Sequence, residues 1–210
     1  MGRAREIADL IGGTTPDIIL KTSDGAILNL QTSDTTVAAD GVLGAINFQA
    51  PDEASGTDSI LIASKIEAIA EDTFAADNNK TKLVFSTGAS AAASEKMSIA
   101  STGATTITTT GNEDSLTLVS SDADSNSGPH LVLDRQSSSP ADSDFLGQVV
   151  FRGKNDAGET TDYATIRGFI NDASDGTEDT DIDIISLTGG TSRNRLQIGA
   201  TETIINNNGV

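Results

Sequence analysis

Cysteine and tryptophan are absent from the 210 residues, and Tyr163 and His130 are the single members of their kinds. Without thiols there are no disulfide staples and no thiolate metal site, and the redox compartment is left unspecified. One imidazole excludes a His-rich metal centre and leaves a single candidate for an imidazole base. Bases are scarce as well: 13 Lys and Arg stand against 31 Asp and Glu, for a net charge of −18. Such a surface repels nucleic acid and anionic membranes, so neither is expected as a partner. Split at residue 112, seven bases and fourteen acids precede and six and seventeen follow, so the charge is spread along the chain. No run of about 18 apolar residues is present for a membrane span. The start MGRAREIADLIGG is too polar for a secretory signal. It opens Met-Gly, but Glu6 stands where an N-myristoylation signal has Ser or Thr.

What the chain does have is self-similarity. LGAINF at 43 to 48 returns as LGQVVF at 146 to 151, and the echo extends in both directions. IILKTSD (18 to 24) matches LTLVSSD (116 to 122), and ILNLQTSDTTVAADGVLGAINF (27 to 48) matches HLVLDRQSSSPADSDFLGQVVF (130 to 151). SKIEAIAED (64 to 72) matches ATIRGFIND (164 to 172), and MSIASTGATTITTTGN (97 to 112) matches LQIGATETIINNNG (196 to 209). The order is preserved while the offset drifts only between 98 and 103. Such a pattern indicates tandem structural units. The expected organisation is an N-terminal helix and linker over 1–16, a first module over 17–112 and a second over 113–210.

The second copy resolves an ambiguity in the first. SILIASKIEAIAED (59 to 72) carries Ile62, Ile66 and Ile69 at helical spacing and passes for an amphipathic helix. Its counterpart TDYATIRGFIND holds Thr, Tyr, Phe and a central Gly168, which suit a strand. Homologous segments share one structure, so both are assigned as strands. The reading is all-β, with about seven short strands per module separated by Gly, Asp, Asn and Ser turns. TSDG (22 to 25) and DASDGTED (172 to 179) are candidate tight turns.

Hydrophobic residues make up only 36% and aromatics 3%, so each module is thin-cored. The expected inward residues of module 1 are Leu28, Leu30, Leu43, Ile46, Phe48, Ile66, Ile69, Phe85, Met97 and Ile99. Those of module 2 are Leu131, Leu133, Leu146, Val149, Phe151, Ile166, Phe169, Ile185, Leu196 and Ile198. The exception to the β pattern is RAREIADLI (3 to 11), which sets Ala4, Ile7, Ala8 and Ile11 on one face beside Leu10, with Gly12-Gly13 as a stop. A helix this short is marginal in water and needs a surface to dock against.

Residues that carry chemistry are few. His130 follows Gly128-Pro129 and aligns with Ala26, so the module does without it; a turn histidine is the simpler reading. DADSNSG (122 to 128) starts like a calcium loop with Asp122, Asp124 and Asn126. Gly128 then falls at the seventh place and Leu133 at the twelfth, where a bidentate Glu belongs. DGTEDTDID (175 to 183) is rich in oxygen ligands, but solvated turns explain both stretches and no metal is expected. A glycan depolymerase needs two placed carboxylates, and nothing marks one pair among 31 acids. Aromatic platforms for sugars are scarce and no Gly-rich phosphate loop is present. Asn79-Lys80-Thr81 fits a glycosylation sequon, which matters only in a secretory host. The expectation is a non-enzyme without catalytic residues or cofactor.

RAREIADL, then LGAINFQAPDEASGTD, KIEAIAEDTFAADNNKTKLVFSTGAS and EKMSIASTG, resemble virion-associated tail-fibre and tail-spike-like proteins of tailed bacteriophages, marine podophages in particular. SSDADSNSGPHLVLDRQSSSPADSDFLGQVVFRGKNDAGE and DGTEDTDIDIISLTGGTSRNRLQIGATETI resemble a module recurring in the same fibres. The resemblance covers essentially the whole chain through loose patterns, none of them a catalytic fingerprint. It implies an elongated homotrimeric β fibre whose N-terminal segment attaches to tail, neck or adaptor proteins of the virion. Arg3, Arg5, Ile7, Leu10 and Ile11 are the expected docking residues. The modules would act as a spacer in host adhesion, with host surface glycan or protein as a distal partner. The chain closes at INNNGV with the second module, which fits either a short fibre or the base of a longer one. A capsid decoration protein that stabilises the shell is the alternative, and a depolymerase tailspike a more distant one.

Overall fold

The computed structural model describes residues 20, 21, 23–50, 56–199 and 202–205. The expected N-terminal helix lies outside them. The chain divides into two compact units, Met1–Thr117 and Leu118–Val210. The first holds β1 (Val42–Gln49), β2 (Ile62–Ala70), β3 (Thr81–Thr87), β4 (Ser94–Ile99) and β5 (Thr105–Ile107). The second holds β6 (Phe145–Lys154), β7 (Thr160–Asp172), β8 (Asp179–Thr188), β9 (Thr191–Ile198) and β10 (Thr203–Ile205). Each set forms one antiparallel meander in which every strand pairs with its neighbour in sequence.

All-β architecture agrees with the sequence, and KIEAIAED and ATIRGFIND are indeed strand, in β2 and β7. Their helical spacing carries a consequence. Residues three apart lie on opposite faces of a strand, so Ile66 and Ile69 part company, as do Ile166 and Phe169. Turn chemistry closes the hairpins. Gly189 and Gly190 join β8 to β9 with φ of 56° and 74°, a pair of left-handed positions that only glycine occupies without strain in a two-residue turn. DASDGTED is likewise a turn, linking β7 to β8, with Asp172 accepting from the Ser174 amide and the Thr177 hydroxyl.

Among the described residues each unit holds five strands where about seven were expected. The segments IILKTSD, ILNLQTSD, LTLVSSD and HLVLDRQ alternate like strands, yet wherever they are described they join no sheet of their own chain. Leu28, Leu30, Leu131 and Leu133, expected inward, are exposed there. A strand is defined by its ladder partner as well as by its pattern, and these segments have none among the described residues.

Registers expose one design in both sheets. Ile46 pairs with Ile66, Ile66 with Phe85, Phe85 with Met97 and Met97 with Ile107, an apolar row across five strands. The second sheet repeats it as Val149, Ile166, Ile184, Leu196 and Ile205. Ile184, rather than the expected Ile185, completes this row; Ile185 faces the other way. The adjacent row runs Gly44, Ala68, Leu83, Ile99 and Thr105 in one sheet and Gly147, Gly168, Ile182, Ile198 and Thr203 in the other. Both first strands break register at the same places, between Val42 and Gly44 or Phe145 and Gly147, and again after Phe48 or Phe151.

Candidate functional site

Both sheets are inverted with respect to an ordinary half-buried sheet. On the face behind the apolar rows lie Glu67, Val84 and Ser86 in the first unit and Asp181 and Asp183 in the second, all buried. Val84 is 1% exposed and Asp183 2%. The apolar faces, by contrast, are open: Ile46, Phe48, Leu83 and Ile107 in one unit, and Val149, Phe151, Ile166, Ile182, Ile184, Ile198 and Ile205 in the other, are all exposed. Among the described residues only Val37, Ala70 and Val84 are buried hydrophobics. None of the twenty expected inward residues is buried within its own chain.

Contiguous exposed apolar surface marks an interaction site, and the two open faces form the candidate site of this protein.

The buried polar side holds the geometry. Asp183 on β8 accepts from Arg167 Nε at 3.1 Å and Nη2 at 2.9 Å through one carboxylate oxygen, and from the Asn194 amide at 2.6 Å through the other. Arg167 stacks on the Phe145 ring, its guanidinium carbon 4.8 Å from the centroid, and Phe145 meets Phe169 edge-on at 6.1 Å. Three neighbouring strands and the start of β6 are thereby tied together across one face. Gln197 donates to Asp181 at 2.9 Å. In the first unit Lys65 Nζ lies 2.5 Å from Glu67 on the equivalent face. Sequence reasoning missed Arg167 and Asp183; their only signal was a charge of each sign at inward-facing strand positions.

Replacing Asp183 by Ala leaves the Arg167 guanidinium and the Asn194 amide without an acceptor. The expected cost is about 2 kcal/mol, below that of a fully buried pair because Arg167 keeps part of its guanidinium in water. Asp162→Ala, which removes the exposed partner of Arg152, should leave stability close to that of the parent, because water and salt screen an exposed pair. Urea unfolding of the two variants checks this. Equal midpoints would mean that the buried cluster carries no special weight.

The candidate chemical residues are dispersed. His130 is exposed, with Nε2 2.9 Å from the Ser127 carbonyl of its own turn, and no carboxylate bonds to it among the described residues. In the acidic loop Asp122 and Asp124 spend their oxygens locally: Asp122 Oδ1 accepts from the Asp124 amide, and Asp124 accepts from both the main chain and side chain of Asn126. Among the described residues no group of three His, Asp or Glu side chains is placed to hold a metal ion. An open cavity of about 430 Å³ lies beside Leu146, Ile170, Asp172, Glu178 and Thr180. Hydrogen bonds from Ser174 and Thr177 hold the Asp172 carboxyl below its usual range, which is the opposite of what a general acid needs. Every other resolved carboxyl shift is also downward, from donors at Thr36, Ser101, Thr73, Ser98 and Arg152. Arg3, Arg5, Ile7, Leu10 and Ile11 lie outside the described residues.

Solved structures that share this fold include two from one phage fibre. One is the carboxy-terminal domain of the bacteriophage T5 L-shaped tail fibre, at TM-score 0.61 and 9% identity over 90% of this chain and 89% of that one. The other is the same domain with its intra-molecular chaperone domain, at TM-score 0.63 and 8% identity over 90% of this chain and 62% of that longer one. No family model matches the sequence. No curated protein matches it either.

Proposed function

We propose that the protein is a structural component of a phage virion, a homotrimeric tail fibre or fibre base that attaches through its N-terminus and serves host adhesion as a spacer. The observation that carries this reading is the inverted sheet, present in both units: a five-residue apolar row on the open face and charged side chains on the buried one. Within one chain those rows stay largely open, Leu30 and Leu133 reaching only Gly44 and Gly147 beside them, whereas identical copies around an axis would cover them for one another. The fold shared with a tail-fibre domain supports a fibre component, and three copies is what the resemblance in sequence implies. The tail-fibre neighbours favour a non-enzyme.

The mechanism is then geometric. Three copies multiply weak distal contacts into a lasting hold on the host, and the modules set reach. Attachment falls to Arg3, Arg5, Ile7, Leu10 and Ile11, whose pattern gives one apolar helical face flanked by cations in an otherwise acidic chain. Removing residues 1 to 13 should abolish incorporation into particles while leaving the native mass of the assembly unchanged. Truncated protein that still appears on purified virions removes the attachment role.

A further inference from the structure

The corner that leads into the first strand of each sheet is built the same way twice. Asp40 and Ser143, which align in the repeat, both take a positive φ, at 66° and 70°. The Asp40 amide donates to the Ala70 carbonyl and the Ser143 amide to that of Ile170, each at 2.8 Å. Ala70 and Ile170 donate in return to Gly41 and Asp144, each at 2.9 Å. What the two corners hold is different. In the first unit Val37 is 8% exposed and Ala70 0%, the half-buried Phe74 donates its amide to the Val37 carbonyl, and Lys80 Nζ stands 3.7 Å from Asp72. The chain supplies its own apolar cover and its own cation.

In the second unit Pro140 aligns with Val37 and is exposed, while Ser174 stands at the place of Phe74 and Thr180 at that of Lys80. The corner is left open as the cavity of about 430 Å³, walled by Pro140, Leu146, Ile170 and Ala173. That volume suits a small ligand or an inserted side chain. Its charged lining is Asp172, Glu178 and Asp179, and among the described residues no Lys or Arg forms an ion pair with any of them. Asp172 and Asp179 are also cross-strand partners, and like charges directly opposite destabilise a strand pair.

We infer that this corner is a binding site for a lysine side chain of a partner protein, presented next to an aromatic residue: the ring covers Pro140 and Ile170, and the ammonium lies between the facing carboxylates. The occupant is read from the other copy of the repeat. At positions where the first unit places a phenyl ring and an ammonium, the second has neither and sets acid against acid. An anionic partner would add to that repulsion, and a neutral apolar one would leave it unrelieved. A lysine has the required form, an apolar stem with a charged tip.

Saturation-transfer NMR on the full chain tests this, with a Phe-Lys dipeptide capped at both ends as probe and capped Phe-Gln beside it. Phe-Lys is expected to bind at least about tenfold more tightly than Phe-Gln, the scale of a hydrogen bond to a charged group, and to weaken as salt is raised. The variant Glu178→Gln/Asp179→Asn should lose most of that preference. Ser174→Phe/Thr180→Lys, which restores the groups of the first unit at two exposed positions, should abolish binding; an unchanged native mass shows that each variant is folded. Equal binding of the two dipeptides overturns the inference, as does the absence of binding to the parent. Binding that survives Ser174→Phe/Thr180→Lys at parent strength places the probe elsewhere and overturns it as well.

Discussion

Ile166→Glu is expected to dissociate the proposed assembly. Within one chain Ile166 is 40% exposed, so a glutamate there can turn its carboxylate to water and cost the isolated unit about 1 kcal/mol or less. In an assembly that covers the row Val149, Ile166 and Ile184, the same carboxylate is buried without a partner, at a cost of at least about 3 kcal/mol per copy. That is better than a hundredfold in the association constant for each copy affected. The equivalent substitution in the first sheet is Ile66→Glu, between Ile46 and Phe85. Ser139→Glu, on the exposed loop before β6, adds the same charge and should leave the native mass unchanged. Sedimentation of the three variants beside the parent separates the effects. An Ile166→Glu protein that keeps the parent mass would show that the open face is not the contact.

Gly147→Ala should cost about 1–3 kcal/mol, the usual range for overpacking, because the added Cβ would lie 2.8 Å from Leu133 Cβ. All three nearest atoms belong to Leu133, and its Cβ is fixed to the main chain, so a rotamer change cannot relieve the clash. The arm itself must move. Gly44 meets Leu30 in the same way at 2.7 Å, which makes the pair a constant of both units. For a unit of this size the loss corresponds to roughly 4–8 °C in Tm per kcal/mol. Leu133→Gly removes the obstructing Cβ, so the double variant should be less destabilised than the two single losses combined. Strict additivity of the Tm shifts would place the cause somewhere other than this contact.

The two expectations draw on different depths of the sequence. Gly147 and Leu133 recur as Gly44 and Leu30 in the aligned copies, at an offset of 103 for both pairs, so the repeat already marked them as partners of something. What it did not convey is that they touch each other, since a glycine says only that a side chain is unwelcome. The strand assignment of β2 shows the opposite balance. KIEAIAED alone reads as helix, and only comparison with ATIRGFIND turned it into a strand. Ile66 and Ile69, like Ile166 and Phe169, were all expected inward, but residues three apart in a strand take opposite faces, so that list mixed the two sides of each sheet. The docking residues Arg3 to Ile11 and the boundary after residue 112 remain expectations from pattern.

By itself the sequence determined the class and its rhythm. Turn residues every few positions, period-2 apolar pairs and a duplicated order point to short strands over most of the chain, because local stereochemistry and alternation act within a few residues. Which face of each sheet is covered was decided only by the tertiary structure. The sides differ in what Arg167, Asp183 and Asn194 do across three strands, and a register of that kind depends on pairings far apart in sequence. The same reason explains the strands without ladders: alternation specifies a strand, but its partner is chosen by contacts that no single stretch of the chain contains.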